Sequence, residues 1–149
     1  MRVCFGTLAD LMNIPNLRSP KDKMAGWVHL PRFVDKIRLH LAGKLPEDYQ
    51  KNFGSGFDGY WIEASGVSKD ALMEVVTKEG NDAAVEAWVK ANVKKTVAEV
   101  EAFNRKVLNR GRNDDITPRL LERKKEAGLE KRDDIQTFVD FIDADEGRL

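Results

Sequence analysis

Apolar residues along this chain recur at helical rather than strand spacing. Val85, Trp88 and Val89 fall three and four residues apart, and Ile135, Phe138, Val139 and Ile142 repeat the stripe near the C-terminus. Capping residues divide the pattern into short elements. Residues 7–12 predict a turn of helix stopped by Pro15, and Ser19-Pro20 reads as an N-cap with proline at the first helical position. Pro31 starts a helix to about Ala42 with Gly43 as its left-handed cap, and Pro46-Glu47-Asp48 opens a short one toward Phe53. Ser68 caps a helix that Gly80 closes, Asn81-Asp82 starts the next, and Thr96 with Glu99 forms a capping box for one ending at Gly111. Thr117-Pro118 leads to Gly128, and Asp133 with Gln136 opens the last. Strand signals are scarce, so the pattern predicts an all-α fold, a compact irregular bundle of about six or seven short helices. Gly54, Gly56 and Gly59 mark a flexible turn around Phe57-Asp58 that could act as a lid.

The helix after Pro31 departs from simple amphipathicity. At 100° per residue, Leu30, Phe33, Val34, Ile37 and Leu41 share one broad face flanked by Arg38 and His40. Arg32, Asp35 and Lys36 lie toward the back, where Leu39 sits among them, so other helices are expected to cover part of that surface. Asp35 could pair with Arg32 or Arg38, each three residues away. His29, Arg32, Asp35, Lys36, Arg38 and His40 are therefore candidates to line a polar pocket, with Asp58 from the glycine-rich turn. Arginine and lysine suit a carboxylate or phosphate, and histidine moves a proton near neutral pH. The competing reading is a structural salt-bridge network.

Composition narrows the function classes. With 25 basic and 25 acidic residues, no global field favours nucleic acid or an anionic membrane. Locally, residues 104–132 carry 10 basic against 5 acidic groups and residues 133–149 carry 6 acidic against 1 basic, which suggests that the two segments neutralise each other. Asp140, Asp143, Asp145 and Glu146 read as a solvated helix face. Arg119, Arg123, Lys124 and Lys125 are interleaved with Glu122 and Glu126, which favours pairing along a helix over nucleic-acid binding. The single cysteine, Cys4, excludes an internal disulfide, and no apolar run reaches the ~20 residues of a membrane span, so a cytoplasmic protein is expected. Cys4 is not expected to be a nucleophile. Metal binding is not expected either: His29 and His40 are eleven residues apart, and the Asp143 to Gly147 run lacks calcium-loop spacing. No cofactor motif is present, since the glycines at 54–59 do not have P-loop spacing.

Arg18-Ser19-Pro20, His29-Leu30-Pro31-Arg32, Asp35-Lys36-Ile37-Arg38, Gly43-Lys44-Leu45-Pro46, Phe57-Asp58-Gly59 and the ending Arg132-Asp133-Asp134-Ile135-Gln136 through Asp143 to Arg148 resemble a bacterial family of small proteins catalogued only as a domain of unknown function. The similarity spans Leu17 to Arg148, leaving 1–16 as an N-terminal extension and 17–149 as a single helical domain. It implies a stand-alone bacterial domain and brings no activity, substrate or cofactor.

The leading expectation is thus a non-enzymatic module that binds a protein partner or small anionic ligand through helix 31–42. The first alternative is a small enzyme using His29 or His40 as acid–base with Asp35 or Asp58. The second is a homo-oligomeric structural protein that exposes Trp27 or Tyr60.

Overall fold

Residues 16–149 are described by the computed structural model, so the turn expected at 7–12 and Cys4 lie outside the described residues. The described chain begins with a two-residue ribbon, β1 (Lys23–Met24) paired antiparallel with β2 (Trp27–Val28). Eight helices follow among the described residues: α1 (Leu30–Leu41), α2 (Glu47–Gln50), α3 (Phe57–Ser65), α4 (Lys69–Glu79), α5 (Asp82–Asn92), α6 (Val97–Asn109), α7 (Thr117–Glu126) and α8 (Phe138–Asp145). The fold is all-α apart from this ribbon.

Local chemistry accounts for most element ends. Ser68, Asn81, Thr96 and Thr137 each accept a hydrogen bond from the backbone N–H three residues on. At the other ends, Gly43, Gly128 and Gly147 adopt positive φ. In each case the next residue's N–H reaches back into the last helical turn: Lys44 to the Leu39 carbonyl, Leu129 to Lys124 and Arg148 to Asp143.

Three local expectations give way to tertiary context, and the ribbon forms where no strand is expected. Ser19-Pro20 makes a single turn closed by Asp22 N–H on the Ser19 carbonyl, because the chain then enters the ribbon. The ribbon turn has positive φ at both Ala25 and Gly26, and the Asn104 side chain clamps it, accepting from Val28 N–H and donating to the Gly26 carbonyl. The last helix starts at Phe138, not Asp133, since Thr137 is its cap and Phe138 N–H is taken by the Arg110 carbonyl. Phe57-Asp58-Gly59 is the first turn of α3 instead of a loose loop.

The main core gathers the ribbon, α1, α3 to α6 and α8 around Val28, Leu30, Phe33, Val34, Ile37, Trp61, Leu72, Val85 and Val107, all fully buried. Burying side chains of this size contributes roughly 1.5–3 kcal/mol each before entropy is counted. Trp27 and Phe33 meet Trp61 edge-on at 6.0 and 6.1 Å. A smaller cluster of Leu120, Ile135 and Phe141 joins α7 to α8. Leu41, expected on the apolar face of α1, is 48% exposed, because the helix outruns the core at its C-terminal end.

Candidate functional site

The centre of the site is built where β2 meets α1. His29 caps α1 with φ of +71°, a left-handed conformation that costs a non-glycine residue roughly 1–3 kcal/mol. Its side chain makes no cap hydrogen bond. Instead the buried imidazole lies with Nε2 2.6 Å from Asp58 Oδ1. Asp58, fully buried in the first turn of α3, sits where the helix dipole favours an anion. Its Oδ2 accepts from Lys36 Nζ at 3.2 Å and from Gly54 N–H at 3.0 Å, which ties the glycine-rich segment to the cluster.

The charges in this group are set by competition. Burial opposes ionisation of Asp58, but the His29 hydrogen bond, the Lys36 charge and the Gly54 N–H outweigh it and hold the carboxyl below the usual carboxylate range. Burial also lowers His29, and the Lys36 and Arg32 charges add to that effect against the pull of Asp58. Lys36 is lowered chiefly by burial as well. The arrangement is a neutral imidazole and an ammonium sharing one carboxylate.

One turn away, Arg32 is buried and faces Glu146 with two parallel bonds, Nη1 to Oε1 at 2.8 Å and Nη2 to Oε2 at 2.6 Å. Tyr49 Oη donates to Glu146 Oε2 at 3.1 Å, and Arg148 bonds Glu146, Asp143 and the Leu17 carbonyl. Asp143 also accepts from Ser19 Oγ, and Lys21 bonds Asp140. The acidic ending is therefore not a solvated face: Asp143 and Asp145 are buried, and the Glu146 side chain is 6% exposed. Among the described residues, Lys21, Arg32 and Arg148 supply the cations that pair with Asp140, Asp143 and Glu146. Between the basic stretch 104–132 and the acidic ending, the ion pair among the described residues is Arg132 with Asp134. Lys124 spends its ammonium on the Arg132 and Ile135 carbonyls.

The remaining candidates lie elsewhere. Asp35 pairs with Arg18, not with its helix neighbours, through Arg18 Nη2 at 2.9 Å and Nε at 3.0 Å. Arg18 also meets Asp82, and Arg38 bonds the other Asp82 oxygen at 2.7 Å. His40 is exposed and lies tilted on the Phe53 ring with centroids 4.8 Å apart. So His29, Arg32, Lys36 and Asp58 come together, while Asp35, Arg38 and His40 do not join them. Trp27 is buried and unavailable for an exposed oligomer contact, and Tyr60 is half-buried.

A cleft of about 520 Å³ opens over the cluster. It is lined by His29, Arg32 and Lys36 of the cluster, by Tyr49, Lys51, Phe57 and Tyr60, and by Arg119, Arg123, Phe138 and Phe141 of α7 and α8. Six basic residues line it against four acidic ones. Arg110 is engaged by Asp115 and Tyr60 Oη, and Arg119 by Glu122. Among the described residues, Arg123, which is half-buried, and Lys51 have no hydrogen-bond or ion-pair partner. In the sequence Arg123 belongs to a basic group that could meet phosphates, but the interleaved Glu122 and Glu126 favour pairing along the helix. Its spacing of four from Arg119 marked a shared face, but nothing local showed that this face borders the cleft. No three potential metal ligands converge among the described residues, and no helix there is long and apolar enough to cross a membrane.

Fold and site together define a helical domain with an aromatic-walled cleft over a buried histidine–carboxylate–lysine cluster. The family model described as Domain of unknown function (DUF5069) matches residues 14–148, and the chain belongs to that family. No curated protein matches its sequence.

Proposed function

We propose that the cleft binds a small anionic ligand. The observation that carries this reading is Arg123, a half-buried guanidinium on the cleft wall whose donors have no partner among the described residues. A guanidinium presents its donors in a planar fork suited to carboxylate or phosphate. Lys51 supplies a second uncommitted charge. The aromatic lining suits the apolar part of a small molecule, and a volume of about 520 Å³ is in the range of small-molecule sites. A concave site of this size favours such a ligand over a protein surface.

The test is calorimetric titration with a panel of small carboxylates and phosphates, on the wild type and Arg123→Ala. Saturable binding that weakens about tenfold or more in the variant is expected, in line with loss of a charge-assisted hydrogen bond. Binding by no member of the panel, or equal binding by both proteins, would overturn the proposal.

A second reading, an acid–base enzyme, is favoured by the His29–Asp58 contact at 2.6 Å. It narrows the enzyme alternative to that pair, because His40 and Asp35 are engaged outside the cleft. Its check is whether any ligand found by titration is chemically altered by wild-type protein and left intact by His29→Asn.

A further inference from the structure

The nitrogen of His29 that Asp58 does not use specifies the ligand further. Asp58 accepts hydrogen bonds from an ammonium and a backbone N–H on one oxygen, so it is an ionised carboxylate with only acceptor capacity. The hydrogen between it and His29 therefore sits on Nε2. A second proton on the imidazole would place another buried cation beside Lys36 and near Arg32, both within the same cluster. Nδ1 accordingly presents a lone pair. It is buried and has no hydrogen-bond partner among the described residues. An acceptor left in that state has given up its hydrogen bonds to water without replacement, so a donor arriving there is favoured. The other buried side-chain atom in this condition, Trp61 Nε1, is a donor on a residue outside the cleft lining.

Resting on the anion reading of the cleft, we propose that its ligand is a hydroxylated small anion whose hydroxyl donates to His29 Nδ1. A cationic donor is disfavoured by Lys36 and Arg32, which line the same cleft. A neutral hydroxyl meets no such repulsion. Phe57 lies edge-on to the imidazole at 5.6 Å and fixes the ring plane the hydroxyl must meet. Arg123 and Lys51 line the same cleft and are the cations available to the anionic end of the molecule.

The experiment titrates matched pairs that differ by hydroxyl groups: malate against succinate, lactate against propionate, glycerol 3-phosphate against propyl phosphate. In parallel, protein labelled with 15N-histidine is observed by NMR, so that Nδ1 is followed without altering the fold. In at least one pair the hydroxylated member is expected to bind about tenfold or more tightly, the size of one hydrogen bond to a buried acceptor. That member alone shifts the unprotonated Nδ1 resonance. His29→Asn, which tolerates the left-handed backbone, is expected to lose the preference. Pairs that bind equally well with Nδ1 unmoved would overturn this inference while leaving the anion reading intact. Failure of every anion to bind would overturn both.

Discussion

Arg32 and Glu146, 114 positions apart, grip each other through two parallel hydrogen bonds of 2.8 and 2.6 Å with both side chains almost wholly buried. This contact joins the first helix after the ribbon to the turn that ends α8, and both residues line the cleft. The Gly147 turn makes it possible, since Arg148 N–H returns to the Asp143 carbonyl and brings Glu146 inward.

Truncating one partner leaves the other as an uncompensated buried charge. Glu146→Ala is therefore expected to lower stability by about 3–5 kcal/mol, whereas a double replacement with Met at 32 and Leu at 146 recovers most of that loss. Urea denaturation of the three proteins checks the point. A single variant as stable as wild type would show that Arg32 finds water or another acceptor.

Arg123 gives the opposite expectation. With no partner among the described residues, Arg123→Ala changes stability by no more than about 0.5 kcal/mol. Anion affinity nevertheless falls. Measuring melting temperature and binding on the same sample separates the two effects, and a melting loss as large as that of Glu146→Ala would reassign Arg123 to the scaffold.

Helix ends were legible because capping is local: Ser68, Asn81 and Thr96 act within three residues of themselves. The ribbon was not, since two-residue strands carry no periodicity and depend on Asn104, 76 positions from Val28. The density of charge around α1 was equally visible, but its division between two sides was not. Arg32 and Lys36 are one helical turn apart and face the cleft, whereas Asp35 turns to Arg18. The acidic ending misled for a physical reason: lone carboxylates default to solvent, and only the fold brings the distant Lys21 and Arg32 to them.

Gly111 holds a junction that composition does not reveal. Its φ is +97°, and a Cβ there would lie 3.0 Å from Phe138 Cδ2 and 3.1 Å from Leu120 Cδ2. Gly66 also has positive φ, +79°, but nothing within 4 Å of its absent Cβ. Gly66→Ala is expected to cost about 1 kcal/mol from backbone strain alone, and Gly111→Ala about 2–3 kcal/mol because the α7–α8 cluster must also shift. Equal melting losses for the two variants would reject the packing contribution.

Acid should weaken the protein in two stages with different owners. His29 titrates below its ordinary value of 6.5 in the folded state, so the unfolded chain takes up the proton first. The stability this group contributes is complete above about pH 6.5 and is lost as pH falls below it. Asp58 and Glu146 are also held below their ordinary values of 3.8 and 4.5, so their contribution persists through the first stage and is lost only as pH falls through the acid range beneath those values. Urea midpoints measured from about pH 7.5 to pH 5.5 should therefore decline in wild type, and His29→Asn should flatten that decline while keeping the loss at lower pH. A wild-type midpoint that rises as pH falls across this interval would mean that the imidazole gains a proton on folding. His29 would then be a cation paired with Asp58, with a proton on Nδ1 in place of the lone pair that a ligand hydroxyl needs.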